Sequence, residues 1–192
     1  MRIPWQVALP FRVYIRSIRG LENIPKGNCI IVANHESSFD TIVLTYAFRK
    51  KITFIATRRL FQSAIRRLFV FALGQAIPDG QGAIHHASGQ IARGATVCIF
   101  PQGEIHPQFL LNRYRTGAVV LSWLSQKPMV PVRIAGTGKI WPPLIWPLKF
   151  WRLKSVDLVI GKPIDPPEPK AEYPNEFFQQ RINDIMKHIK TL

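Results

Sequence analysis

A histidine and an aspartate five positions apart are the residues of this chain best placed to do chemistry. His35 and Asp40 follow the apolar run Cys29–Ala33, which predicts a buried β-strand. An imidazole titrates near neutral pH, so it can take up a proton and return it, and a carboxylate can hold it in one tautomer. No serine or cysteine nucleophile motif accompanies the pair. The pattern therefore predicts a general base that activates a substrate hydroxyl.

The same residues also fit a purely structural arrangement. Ser37 or Ser38 could cap a helix that starts near Phe39, because their hydroxyls accept backbone N–H groups. The helix dipole would then favour Asp40 in the first turn, and His35 would be an ordinary loop histidine. The spacing alone leaves both alternatives open.

A second polar segment follows another strand-like run. Thr96–Phe100 is followed at once by Pro101, Gln102, Gly103 and Glu104. Together, this segment and Asn34–Asp40 resemble the glycerolipid acyltransferase family (the lysophospholipid and 1-acylglycerol-3-phosphate acyltransferases). That family carries Asn-His-x4-Asp after one strand and Phe-Pro-Glu-Gly-Thr-Arg after a later one. The resemblance continues in the family's order through residues 20–27, 114–118, 130–132 and 160–164.

The resemblance implies acyl transfer from a thioester, either acyl-coenzyme A or acyl-carrier protein, to the hydroxyl of a lipid. His35 would take the proton from the attacking hydroxyl, and Asp40 would orient and stabilise the imidazole. Backbone N–H groups near Gly103 are candidate donors to the oxyanion. Neither a cofactor nor a covalent enzyme intermediate is expected. The motif positions that support the pair are Asn34, Phe100 and Pro101.

The second motif departs from the family's pattern where the family binds the acceptor phosphate. Ile105 replaces an arginine, which removes a bidentate donor, and Glu104 brings a charge that repels phosphate. Residues 74–80 also lack the arginine that the family usually has there. We therefore expect a lysophospholipid with a buried headgroup, a glycolipid or another lipid alcohol, with a catalytically degenerate lipid-binding member as the alternative. The candidate acceptor-binding residues are Gln102, Gly103, Glu104 and two replacement cations, Arg113 and Arg115.

The chain is strongly basic, with a formal charge of +15 from 26 Lys+Arg and 11 Asp+Glu. The basic excess lies before position 157 and would attract an anionic membrane, an acidic carrier protein or nucleic acid. A nucleic-acid-binding domain is the less favoured alternative, because stacking aromatics are not interleaved with the basic residues. The patch predicted to face the membrane or the donor comprises Arg12, Arg16, Arg58, Arg59, Arg66 and Arg67.

Alternating strand-like and helix-like segments predict a single α/β domain, with a mixed, largely parallel sheet flanked by helices. Near the N-terminus, Phe11, Ile15 and Ile18 recur at helical spacing beside arginines. This pattern predicts a short amphipathic helix that lies on a membrane surface or packs on its own domain. The predicted organisation is a membrane-surface segment at 1–19 and an acyltransferase domain at 20–192.

Membrane attachment is expected to be peripheral and on the cytoplasmic face. No apolar run reaches the ~20 residues that a spanning helix needs, and the N-terminus lacks the layout of a cleavable signal. The tryptophan-rich stretch 140–151 is typical of a membrane interface or of an irregular loop over the core. Cys29 and Cys98 are predicted core thiols, and no metal site is expected at His85 and His86.

Overall fold

A computed structural model of the chain describes residues 5–56, 75–80, 82–105, 114–140, 149 and 151–192. Strands and helices alternate along this part of the chain. The strands are β1 (Ile15–Arg19), β2 (Ile30–Ala33), β3 (Ile52–Ala56), β4 (Gln75–Pro78), β5 (Thr96–Ile99), β6 (Met129–Ala135) and β7 (Val156–Ile160). The helices are α1 (Asp40–Phe48), α2 (Ala83–Ala92), α3 (Gly117–Ser125), α4 (Thr137–Ile140) and α5 (Asn175–Thr191), with 3-10 helices at Trp5–Tyr14 and Leu21–Asn23.

The strands form one sheet in the order β1-β7-β6-β2-β5-β3-β4. From β6 to β4 every neighbouring pair is parallel, whereas β7 runs antiparallel to β6, and β1 runs parallel to β7. The predicted mixed, largely parallel sheet flanked by helices is therefore confirmed. The sequence pattern also predicts a helix over residues 62–73, which lie outside the described residues.

The strand directions place several chain turns at one edge of the sheet. The carboxyl ends of β2, β5 and β6 meet there because these three strands are parallel neighbours. The starts of β1 and β7 lie at the same edge, since Ala135 at the end of β6 pairs with Asp157 at the start of β7. We call this the carboxyl edge. In open α/β sheets it is the usual place for a ligand site.

The central strands are buried on both faces, as expected for parallel strands covered by helices. Ile31 and Ala33 of β2 pack in a core with α1 and the N-terminal 3-10 helix. Ile30 and Val32 point to the other core, which α2, α3 and α5 complete. Cys29 and Cys98 are free, buried thiols, as predicted, and burial raises the pKa of both.

The prediction of an N-terminal amphipathic helix that carries Phe11, Ile15 and Ile18 is wrong. A 3-10 helix spans Trp5–Tyr14 and ends there, and Ile15–Arg19 forms β1. The stripe of Phe11, Ile15 and Ile18 fits a helical period, but the backbone N–H and C=O groups of Ile15–Arg19 find partners on the open edge of β7. That long-range pairing overrides a local periodicity in so short a segment.

The two N-terminal arginines of the predicted patch are engaged within the chain. Arg12 donates to the Ile15 carbonyl at 2.9 Å. Arg16 forms an ion pair with Asp157, and its Nε donates to Asp157 Oδ1 at 2.9 Å. The hydrogen bond from Arg16 lowers the pKa of Asp157, and a hydrogen bond from Ser17 adds to the effect. The charge of Arg16 is therefore balanced inside the β1–β7 pair.

Replacing Asp157 with asparagine is expected to lower the free energy of unfolding at neutral pH. Because the pKa of Asp157 is lower in the folded chain, its carboxylate stabilises the fold at pH values above the unfolded-state pKa of about 3.9. This stabilisation is lost as the pH falls through the lower, folded-state pKa of Asp157. Urea unfolding at neutral pH and at about pH 2 measures the difference from the parent chain. The exposed Asp184→Asn variant is the control. An equal difference at both pH values would contradict the assignment.

Candidate active site at the carboxyl edge

Asn34 continues the pairing of β2 with β6 beyond the last backbone pair, Ala33 with Val132. Its Nδ2 donates to the Ile134 carbonyl and its Oδ1 accepts the Ile134 N–H, both at 2.7 Å. The buried side-chain amide thus acts as an extra peptide group in the sheet. It holds the chain against β6 at the point where His35 leaves the sheet.

Replacing Asn34 with alanine is expected to cost about 2–4 kcal/mol of unfolding free energy, because two buried backbone groups of Ile134 lose their partners. Denaturant unfolding measures the loss. Asn175→Ala, at an exposed position of α5, should stay within about 0.5 kcal/mol of the parent. An Asn34→Ala variant as stable as that control would contradict the bridging role.

The His35 ring and the Asp40 carboxylate are in direct contact. His35 Nδ1 lies 2.7 Å from Asp40 Oδ2. The same oxygen accepts the backbone N–H groups of Glu36 at 2.8 Å and Ser37 at 3.0 Å. Because Oδ2 accepts all of these contacts, Nδ1 carries a proton, and in the neutral imidazole Nε2 then has the lone pair. The arrangement is therefore suited to general-base chemistry at Nε2.

Burial differs sharply between the two partners. The Asp40 side chain is fully buried, whereas His35 keeps 16% of its side chain exposed. No residue in the described ranges hydrogen-bonds Nε2. The aspartate is thus fixed inside the protein, and the imidazole is the member of the pair that a substrate can reach.

A tight turn between β2 and α1 brings Asp40 back to His35. The Asp40 N–H donates to the Ser37 carbonyl at 3.0 Å, and the Ser37 hydroxyl accepts the Phe39 N–H at 3.1 Å. Asp40 is the first residue of α1, as the structural alternative also expected. The predicted side-chain cap is absent, however, because the N-cap position is Phe39. Ser37 stabilises the preceding turn instead.

Phe100 and Gln102, which follow β5, hold the imidazole from the neighbouring strand. The Phe100 ring stacks on the His35 ring with centroids 4.0 Å apart and planes 12° apart. Gln102 is buried, and its Oε1 accepts the His35 backbone N–H at 2.5 Å. The sequence predicted an acceptor-binding role for Gln102, which stays a prediction. Its contact with His35 was not anticipated.

Gly103 allows the turn after β5 to pass close beside Arg115. Its φ is +76°, and a β-carbon there would lie 2.3 Å from Arg115 Nε. The Arg115 backbone N–H donates to the Pro101 carbonyl at 2.8 Å, and its guanidinium reaches Asp79 Oδ2 at 3.4 Å. Arg115 is thereby held beside the second motif, and its role as a replacement cation for the acceptor stays a prediction.

The Gly103 amide itself is not available to an oxyanion. Its N–H donates to the Phe100 carbonyl at 3.0 Å. This amide is therefore not an oxyanion donor, and donation by other backbone N–H groups near Gly103 stays a prediction. Glu104, the next residue, is exposed.

Glu36 is a second carboxylate at the site, and its role was not predicted from the sequence. Its Oε2 accepts the Gly136 N–H at 2.9 Å and lies 3.5 Å from Thr137 Oγ1. Burial raises the pKa of Glu36, and repulsion by Asp40 raises it further. The contact ties the end of β6 to the turn that carries His35. The sequence feature that could have indicated Glu36 is its position, because it is an acidic residue inside the first motif of a strongly basic chain.

Of the remaining predicted residues, Arg12 and Arg16 lie at the same edge of the sheet as the His35–Asp40 pair, near the start of β1. Within the described ranges, no cluster of His, Cys, Asp and Glu could hold a metal ion, and no helix is long and apolar enough to cross a membrane. Several predicted positions fall outside the described residues, namely Arg58, Arg59, Arg66, Arg67, Arg113 and most of the tryptophan-rich stretch.

Comparisons with known proteins identify the family of this chain. The sequence model of the Acyltransferase family matches residues 16–135, which include both polar segments of the site. The chain is 30% identical over 146 residues to "1-acyl-sn-glycerol-3-phosphate acyltransferase BAT2, chloroplastic" of Brassica napus, covering 72% of this chain and 42% of that protein. It is 28% identical over 138 residues to a 1-acyl-sn-glycerol-3-phosphate acyltransferase of Pseudomonas aeruginosa, covering 67% of this chain and 52% of the relative. The chain thus spans about half the length of the curated relatives it matches.

The fold also matches a solved structure. The crystal structure of the 1-acyl-sn-glycerophosphate (LPA) acyltransferase PlsC from Thermotoga maritima has a TM-score of 0.70 to this chain, at 23% sequence identity. The match covers 97% of this chain and 76% of that one. At this identity the likeness supports a shared fold.

Proposed function

Since the chain belongs to the acyltransferase family, we propose that it transfers a fatty acyl group from an acyl thioester to the hydroxyl of a lipid, with His35 as the general base. The observation that carries the proposal is the 2.7 Å contact between His35 Nδ1 and Asp40 Oδ2. It leaves the Nε2 lone pair to accept a proton, on the one member of the pair that solvent can reach.

The reaction proceeds in two steps. His35 Nε2 takes the hydroxyl proton while the acceptor oxygen attacks the thioester carbonyl carbon, and Asp40 stabilises the resulting imidazolium. The tetrahedral intermediate then expels the thiolate, which takes the proton from His35, so an ester and a thiol are released. The enzyme forms no covalent bond to the acyl group and requires no cofactor. The oxyanion needs donors other than the Gly103 amide, which the Phe100 carbonyl occupies.

The acceptor we infer is a lipid alcohol of the lysophospholipid, glycerolipid or glycolipid class. Relatives are named for 1-acyl-sn-glycerol-3-phosphate, which makes that lipid the reference acceptor. In this chain, however, Gln102 is engaged with the His35 backbone, Glu104 is exposed, and Arg115 is shared with Asp79. We therefore expect acyl transfer to an acceptor with a terminal phosphomonoester to be no faster than transfer to a lysophospholipid whose phosphate carries a further group.

The donor is acyl-coenzyme A or acyl-carrier protein, and the site of action is the cytoplasmic face of a membrane, to which the protein attaches peripherally. The net charge of +15 supports an anionic surface or an acidic carrier as partner. Nucleic acid is not proposed as a partner.

The test is a transfer assay with the purified full chain. One labelled acyl group is supplied on coenzyme A or on carrier protein, with 1-acylglycerol-3-phosphate, lysophosphatidylglycerol and a monoglycosylated lipid offered in parallel. Mass spectrometry of the products should find a new ester on an acceptor hydroxyl, with one thiol released per ester formed. Lipid binding without ester formation would favour the degenerate family member instead.

A further inference from the structure

Most of the large apolar side chains that are exposed in the described residues lie together at the carboxyl edge. Leu9 and Val13 are on the N-terminal 3-10 helix, just before β1, and Trp151 and Leu153 precede β7. Their exposed fractions run from 45% for Leu9 to 62% for Trp151. Exposed apolar residues of this size in one place are typical of an interaction surface.

Backbone hydrogen bonds join the two segments. The Lys154 N–H donates to the Val13 carbonyl and the Ser155 N–H donates to the Tyr14 carbonyl, both at 3.0 Å. The two remaining exposed apolar residues of this size, Leu21 and Leu124, lie at the opposite edge, after β1 and before β6.

The exposed charged residues of these two segments are all basic. Arg12, Arg152 and Lys154 are exposed among them. The sequence has no acidic residue in 5–14 or in 149–155. The nearest carboxylate along β7 is Asp157, which is already paired with Arg16. None of these three cations forms an ion pair with a carboxylate of the described residues. Apolar side chains interleaved with such cations match the acyl and headgroup layers of an anionic bilayer.

We propose that this surface docks the protein on an anionic bilayer. The docking surface comprises Leu9, Arg12, Val13, Trp151, Arg152, Leu153 and Lys154. The docking surface differs from the patch predicted from sequence in two ways. It leaves out Arg16, because the charge of Arg16 is balanced by Asp157. It also includes apolar residues, which were not part of that patch.

The docking surface is linked directly to the catalytic pair. Phe11 and Tyr14, beside Val13, pack edge-on against Phe39 with ring centroids 5.6 and 5.5 Å apart. Phe39 immediately precedes Asp40. Both features lie at the carboxyl edge, so docking would bring the opening at His35 towards the bilayer that holds the acceptor. This advantage rests on the proposed function, whereas the docking itself does not.

Vesicle flotation of the full chain tests the surface. The vesicles contain phosphatidylcholine alone or an equal mixture with phosphatidylglycerol. The parent should float with the mixture and much less with phosphatidylcholine. The pair Arg152→Gln and Lys154→Asn should lower the partition coefficient about 30-fold on the mixture. The pair Val13→Ser and Leu153→Ser should lower it at least about 10-fold.

Matched controls come from the opposite edge. Leu21→Ser with Leu124→Ser, and Arg93→Gln, should float like the parent. Melting temperatures near the parent value identify variants that are folded. Loss of flotation in these controls equal to that of the docking variants would overturn the proposal. Binding that depends on the cations alone would also overturn the proposal, because it would indicate a general polyanion site, for example for nucleic acid.

Flotation requires no turnover, so the two proposals fail separately. A chain that floats through this surface but forms no ester contradicts the proposed function and supports the docking. A chain that esterifies vesicle lipid equally well after the serine substitutions contradicts the docking and supports the function.

Discussion

Replacing His35 with alanine is expected to lower the rate of acyl transfer about 10²–10⁴-fold, the usual contribution of a positioned general base. The substitution removes the imidazole, which is the partly exposed member of the pair, while the buried Asp40 carboxylate keeps its bonds to Glu36 and Ser37. The loss should appear in kcat more than in KM, because proton removal belongs to the transition state. Steady-state kinetics with the best thioester and acceptor pair measure it.

The matched control for this prediction is His85→Ala, at an exposed position of α2. It removes an exposed imidazole that belongs to neither polar motif, and it should leave kcat and KM unchanged. The His35 variant also loses a stacking partner of Phe100, so its melting temperature is recorded to confirm that it is folded. A folded His35→Ala variant with parental turnover would remove the general base from the proposed mechanism.

The residues that could be predicted from sequence are those whose environment is local. β2 and β5 are short apolar runs that end in a polar motif, and both strands lie where the pattern indicated. The contact between His35 and Asp40 needs only one turn between a strand and a helix, so the spacing was informative. Parallel order then places the two motifs side by side at the carboxyl edge.

The contacts that could not be predicted are those made across long stretches of sequence. Asn34 bonds to Ile134, 100 positions away, and Arg16 pairs with Asp157, 141 positions away. Both contacts depend on the choice of sheet neighbours, which no local pattern encodes. The N-terminal segment was misjudged for the same reason, because pairing with β7 decided its conformation. The hydrogen bond from the His35 N–H to the side-chain oxygen of Gln102 likewise depends on β5 and β2 being neighbours in the sheet.

Asp40→Asn is expected to lower kcat on the order of 10³–10⁴-fold, since loss of the carboxylate removes both the tautomer control and the charge that stabilises the imidazolium. If the amide NH2 faces His35, it cannot accept from Nδ1, and the ring must carry its proton on Nε2, where the base is needed. If the amide oxygen faces His35, the NH2 takes the place of Oδ1, a buried atom with no partner among the described residues. That arrangement should cost about 1–3 kcal/mol of unfolding free energy.

The double variant His35→Ala with Asp40→Asn separates a positioning role from an independent one. If Asp40 acts through the imidazole, the double variant should be little slower than His35→Ala alone, because residues that act as a unit are strongly non-additive. Asp184→Asn, exposed on α5, is the control for the substitution itself and should retain parental kcat. Losses that multiply in the double variant would mean that Asp40 contributes to the rate without His35, and the pair would no longer explain the chemistry.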